Sequence, residues 1–219
     1  MSSNFKKKLS AFAAMLALVS ISSTAMAVTS SDVIGSTSNA KVVDTNTTRT
    51  DINLIGGKAG DVAQIDFKNF NVAKGEHVNY GFSGVSQTMI NRVLGGKESQ
   101  ILGRITSSCL NSATCGDVSR NTGKVVLINP AGVMFGQGST VDLNSFTVST
   151  FDFKGAKNLK GMSDTALTNY QNGTLNKLSP TQSVNGIADP SDVYGNIISI
   201  QITRKHLMRD LNHKVFQKV

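Results

Sequence analysis

The feature that most limits the fold is a succession of short runs in which apolar residues recur at every second position. Val78, Tyr80 and Phe82 alternate with His77, Asn79 and Gly81. Val62, Ile65 and Phe67 share one run, and Val125 to Ile128 is apolar throughout. Val133 and Phe135 flank Met134, and Val141 and Leu143 flank Asp142. Phe146 and Val148, then Phe151 and Phe153, repeat the same step. Successive side chains of an extended strand point to opposite faces, so a step of two places one face in a core. Each run is short and ends at Gly, Asn, Asp or Ser, which is the pattern of an all-β chain. The 25 Ser, 19 Thr, 19 Asn and 20 Gly among 219 residues, with Glu only at 76 and 98, argue against a helix bundle.

Two architectures suit strands this short. A sandwich joins its strands by hairpins, yet Asn-Gly signals occur only late, at Asn172-Gly173 and Asn185-Gly186. From 124 to 153 the order is instead strand, corner, strand, corner, which modestly favours stacked coils of a β-solenoid. No clean internal repeat aligns, which tempers that preference. Thr88 to Leu94, stopped by Gly95-Gly96, reads as the one helical piece. Residues 154–186 read as a long polar loop or an insertion outside the main stack.

The two ends differ from the body. Lys6, Lys7 and Lys8 precede an apolar stretch from Leu9 to Ile21, and Ala25-Met26-Ala27 is a small-x-small site. That is a secretory signal pattern, with cleavage after Ala27. The apolar stretch is shorter than the ~20 residues a spanning helix needs. The mature chain is therefore expected outside the cytosol and not as an integral membrane protein. The formal net charge is +8. Three of those charges lie in the signal, and the segment from Thr203 adds Arg204, Lys205, Arg209, Lys214 and Lys218 against Asp210. The body, 28–202, is close to neutral, so no nucleic-acid face is expected. Residues 203–219 form an atypical basic tail in which Leu207, Leu211 and Val215 share a helical face.

The most specific stretch is Lys124 to Gly136. An apolar strand feeds Asn129, which the following proline biases toward extended backbone. Pro130 supplies the fixed φ of the second turn position, and Asn129 and Gly132 suit the first and fourth positions of a type I turn. The strand then resumes at Val133-Met134-Phe135. Taken alone, this is a corner between two buried strands.

The stretch resembles the N-terminal secretion domain of two-partner-secretion exoproteins, the filamentous haemagglutinin family. That family carries Asn-Pro-Asn-Gly-Ile followed by a hydrophobic-Phe-Gly sequence, and Asn129-Pro130-Ala131-Gly132-Val133-Met134-Phe135-Gly136 matches it. Phe70-Asn71-Val72, Gly75, Asn91-Arg92-Val93, Gly95, and Ser99 through Ile105 follow the family's order upstream. Asn144-Ser145-Phe146 and Ser149-Thr150 follow it downstream. The resemblance is strongest over 51–153. Ala131 departs from the family's middle Asn, so any contact made by that amide is lost. The family's second motif, Asn-Pro-Asn-Leu, is replaced by Gly81 to Val85.

The resemblance implies a right-handed parallel β-helix with an N-terminal cap, incomplete at its C-terminus. It implies a non-catalytic targeting domain without cofactor, recognised in the periplasm by an outer-membrane partner transporter and carried to the cell surface. Family exoproteins continue into a long passenger that meets host or cell-surface ligands. The change of texture at Thr203 is therefore read as a truncated exoprotein with an adventitious tail, the other reading being a basic amphipathic tail that touches a membrane or nucleic acid.

Cys109 and Cys115 are the only cysteines. In an exported chain their spacing predicts a local disulfide, contributing about 2–2.5 kcal/mol if unstrained. Two cysteines with no nearby histidine do not make a metal site. Catalytic patterns are weak. Gly81 to Val85 lacks the second glycine of a nucleophile elbow, and His77 reads as an exposed strand residue. Asp61, Asp66 and Glu76 are spread out. Arg92 suits either a buried, paired arginine or a solvated loop side chain. The competing function is a secreted carbohydrate-active β-solenoid enzyme, which needs acidic residues gathered on one sheet face.

Overall fold

The computed structural model describes residues 28–56, 58–111, 115, 123–153 and 155–177, and the backbone of 200–203. The expected signal peptide with Ala25 and Ala27, the Asn185-Gly186 pair and the basic tail beyond 203 lie outside the described residues.

The chain is mostly β-strand, as its alternation predicts. The strands are β1 (Val33–Ser36), β2 (Ala40–Asn46), β3 (Arg49–Leu54), β4 (Val62–Phe67), β5 (His77–Phe82), β6 (Thr88–Val93) and β7 (Ser99–Ile101). They continue as β8 (Arg104–Cys109), β9 (Lys124–Ile128), β10 (Val133–Phe135), β11 (Thr140–Asp142), β12 (Ser145–Ser149) and β13 (Ile200–Thr203). Among the described residues one α-helix of several turns, α1 (Asp164–Gly173), follows β12. Its N-cap is Ser163, whose hydroxyl accepts from the Ala166 amide.

Three sheets form. The first runs β1-β4-β6-β9-β12-β13, the second is β10-β7, and the third runs β11-β8-β5-β3-β2. From β4 to β12 every pairing between strands is parallel. The chain visits the sheets in a fixed rotation: β6, β7 and β8 lie in the first, second and third sheets, and β9, β10 and β11 repeat that order. Val72 bridges Ile101 in the same way one step earlier. In the first sheet Val62, Thr88, Lys124 and Ser145 lie in one cross-strand row. Among the described residues antiparallel pairs occur only at the margins, where β1 meets β4, β2 meets β3 and β13 meets β12. The sheets are therefore mixed overall and parallel in the middle.

Inward side chains of the three sheets meet in one core, which includes Ile65, Phe67, Phe70, Val72, Val78, Tyr80, Phe82, Met89, Ile101, Ile105, Val125, Leu127 and Phe146. A second apolar cluster lies on the other face of the first sheet. There Val62, Ile90, Val126 and Ile128 are covered by Phe153, Leu159, Leu167, Tyr170 and Leu175.

Two expectations are corrected. Thr88–Val93 is strand β6, buried at every position, and not a helix. Met89 faces the core while Ile90 faces the second cluster, so both faces are apolar and the period of two disappears from the sequence. Residues 155–177 contain α1, and Asn172-Gly173 ends that helix instead of turning a hairpin.

Candidate functional site

The corner that carries the family motif joins β9 of the first sheet to β10 of the second. The Gly132 amide donates to the Asn129 carbonyl over 2.9 Å, which closes the four-residue turn. Asn129 is fully buried. Its Nδ2 donates to the Lys97 carbonyl and to Ser99 Oγ, both over 2.9 Å, and its Oδ1 accepts from the Ala131 amide over 3.0 Å. Its own amide donates to the Ser149 carbonyl. One side chain thus ties the corner to the strand before it, and its backbone ties it to the strand after. Gly132 has a φ of 106°, in the left-handed region where a side chain would be strained. Pro130 and Ala131 face solvent and Val133 is half-buried. The turn keeps its form with Ala131, because it uses that residue's amide only.

One step earlier, Phe70 and Val72 are buried in the core. Asn71 Oδ1 accepts from the Gln100 amide over 2.9 Å. Asn91 is buried in β6 and its Nδ2 donates to the Val126 carbonyl over 3.1 Å, while Val93 packs in the core. Asn71 and Asn129 therefore do similar work at successive corners. The sequence marked both asparagines but not their partners, the Gln100 amide for Asn71 and the Lys97 carbonyl and Ser99 Oγ for Asn129. Ser99 opens the Ser99–Ile105 run that the sequence marks; the Lys97 carbonyl carries no sequence signal.

Arg92 is the centre of a buried polar network. Nη1 donates to Asp66 Oδ1 over 3.1 Å and to the Lys157 carbonyl over 2.6 Å, and Nε donates to both oxygens of Asp152 over 3.0 and 2.9 Å. Asp66 has no exposure, and it also accepts from Gln64 Nε2 and from the Leu159 amide. Burial pushes the Asp66 carboxyl above the ordinary carboxylate value, against the pull of the Leu159 amide, Arg92 and Gln64. Burial of Arg92 favours its neutral form, but Asp152 and Asp66 outweigh this and hold the guanidinium charged. Of the two readings of Arg92, the structure has the buried, paired one. Asp152 was missed, being 60 positions away with no local pattern to mark it.

Among the described residues, Asp51, Asp61 and Glu76 make their contacts outside the Asp66–Arg92–Asp152 network. Asp51 on β3 is bound by Arg49 Nη2 over 2.9 Å, and Glu76 Oε2 accepts from the Ala73 amide. Asp61 accepts from the Lys58 amide. His77 is half-buried and not exposed as expected, with Nε2 2.7 Å from Thr106 Oγ1. Burial, together with Arg49 and Arg104, lowers its pKa below the ordinary histidine value. Among the described residues no group of three or more His, Cys, Asp or Glu is placed to hold a metal ion. Cys109 and Cys115 are joined with Cα atoms 6.2 Å apart. Among the described residues no helix is long and apolar enough to cross a membrane.

The family model of the TPS secretion domain matches residues 27–207. The chain is 31% identical over 97 residues to the heme/hemopexin-binding protein of Haemophilus influenzae, covering 44% of this chain and 9% of that protein. It is 30% identical over 91 residues to the protein of the same name from strain Rd, covering 42% of this chain and 8% of that one. The match thus spans under a tenth of the length of these curated relatives. The crystal structure of the HMW1 secretion domain from Haemophilus influenzae aligns with a TM-score of 0.43 at 27% identity, covering 57% of this chain and 27% of that one. With the motif order of 70–136 and a family match over most of its length, the chain belongs to the TPS secretion-domain family, that of the two-partner-secretion exoproteins.

Proposed function

We propose that this chain is the secretion-targeting part of a large exported adhesin-type protein, and that it is non-catalytic. An outer-membrane partner transporter recognises it through its periplasmic domains, in part by strand addition to the extended chain. On emergence it folds as a right-handed parallel β-helix, with β1–β3 as the N-terminal cap, and nucleates the coils that follow. The observation that carries this reading is the rotation of the chain through three sheets in constant order, with Val62, Thr88, Lys124 and Ser145 in one row. Such a stack grows by nearest-neighbour contacts, so coils can add one at a time.

A leader over 1–27, cleaved after Ala27, brings the chain to the periplasm, in keeping with a family match that begins at residue 27. The Asn129–Val133 corner and the Phe70–Val72 and Asn91–Val93 segments act by shaping the domain. The Cys109–Cys115 disulfide is local enough to travel with an otherwise unfolded chain. Ligand binding belongs to a passenger, which accords with relatives that extend far beyond the aligned segment. Against the carbohydrate-cleaving alternative, Asp51, Asp66 and Asp152 among the described residues are each engaged by an arginine.

The test is export of residues 1–202 fused to a reporter, with and without the cognate transporter. Secretion only with the transporter is expected. Secretion of equal amount without it overturns the assignment.

A further inference from the structure

The outer face of the first sheet is buried, with apolar Val62, Ile90, Val126 and Ile128 beside the polar Gln64, Asp66 and Arg92. Gln64, Ile90 and Val126 lie in one cross-strand row, and Asp66, Arg92 and Ile128 in the next. Segment 155–177 covers both rows. Leu159, Leu167, Tyr170 and Leu175 pack on Val62, Ile90, Val126 and Ile128. The polar side chains of both rows are closed by the same segment. The Lys157 carbonyl accepts from Arg92 Nη1 and Gln64 Nε2, and the Leu159 amide donates to Asp66 Oδ2 over 2.7 Å. The Tyr170 hydroxyl donates to Gln64 Oε1 over 2.9 Å and accepts from the Lys157 amide over 3.1 Å. On the neighbouring strand β1, Gly35 leaves room for the Leu159 backbone: a Cβ there would sit 2.8 Å from the Leu159 carbonyl carbon.

We propose that segment 155–177 is a closing strap whose docking locks β4, β6 and β9 together, so that the stack holds only once this segment is in place. Without the strap, Val62, Ile90, Val126 and Ile128 keep only Phe153 of their apolar cover. A buried arginine and aspartate also lose the backbone partners that make their burial tolerable. Hydrophobic and polar terms act in the same direction, so the strap and the outer rows open together. In the export reading proposed above, on which this consequence rests, the stack commits to its fold only after the strap, which follows β12 (Ser145–Ser149), has emerged.

Gly35→Ala is the sharpest perturbation, because Gly35 has ordinary negative φ and the added methyl meets the Leu159 backbone. Tyr170→Phe is the milder one, removing one hydroxyl that bridges Gln64 and Lys157. Hydrogen exchange followed by mass spectrometry on the mature chain reads each peptide separately. Both variants are expected to speed exchange in α1 and in β6 and β9 together, by about tenfold or more for Gly35→Ala. Faster exchange in α1 with β6 and β9 unchanged overturns the proposal, since the strap is then a passive cover. Faster exchange in β1 and β4 alone also overturns it, since Gly35→Ala then acts through its own strand. If Gly35→Ala yields no folded protein, Tyr170→Phe decides by the same comparison. The assay needs no transporter, so its outcome is separate from that of the export test.

Discussion

Replacing Asn129 with alanine tests whether the motif acts through the fold. Asn129 is fully buried, and its side chain makes three hydrogen bonds, to the Lys97 carbonyl, Ser99 Oγ and the Ala131 amide. A neutral hydrogen bond contributes about 0.5–1.5 kcal/mol net, and an unsatisfied buried partner costs more. Three together give a loss of about 2–4 kcal/mol, a large part of the ~5–15 kcal/mol of a typical domain. The assay is urea unfolding of the mature chain followed by circular dichroism. Adding Ser99→Ala completes a double-mutant cycle, with a coupling of about 1 kcal/mol expected for the shared bond. Pro130→Ala in the same assay costs under about 1 kcal/mol, since Pro130 is exposed and only pre-sets φ. Export of Asn129→Ala falls in step with its stability. A variant within about 0.5 kcal/mol of the parent refutes the structural role of the amide. Loss of export at full stability refutes the claim that the motif acts through the fold.

Three further outcomes follow from particular contacts. Gly103→Ala prevents folding or costs several kcal/mol, because an added Cβ would overlap the Ala73 and Glu76 carbonyl oxygens; a normal melt contradicts the close approach. Arg92→Met costs about 3–5 kcal/mol because Asp66 is left buried without its cation, and adding Asp66→Leu recovers part of the loss; denaturant melts of both variants measure this. His77 titrates below its ordinary value near 6.5, as followed by the NMR shift of its ring protons. The fold favours the neutral ring, so its contribution is present above that ordinary value and is lost as pH falls through the lowered one; a midpoint above 6.5 contradicts the burial and the two neighbouring arginines.

The middle of the fold was legible because its strands obey the simplest rule. Val78, Tyr80 and Phe82 point inward while His77, Asn79 and Gly81 point outward, and Val141 and Phe146 do the same on later strands. The corner at Asn129 was legible because Asn, Pro and Gly each have a backbone preference that acts over four residues. His77 was misjudged for the opposite reason: its half-burial comes from the neighbouring strand carrying Thr106. The partners of Arg92 were not legible either, because Asp66, Asp152 and Lys157 meet it only after the strands are stacked.

The sequence by itself determined that this chain is built of short strands and tight corners. Alternation and turn chemistry are local, and they need no partner to be expressed. It also determined membership of the family, through motifs that keep their order along the chain. Only the tertiary structure decided which faces are wet. Helical spacing and doubly buried spacing look alike at Thr88–Val93, because a strand covered on both sides keeps no polar face to mark its period. What covers β6 on the outer side is a segment beginning more than sixty positions away, and burial by so distant a neighbour leaves no trace in the local pattern.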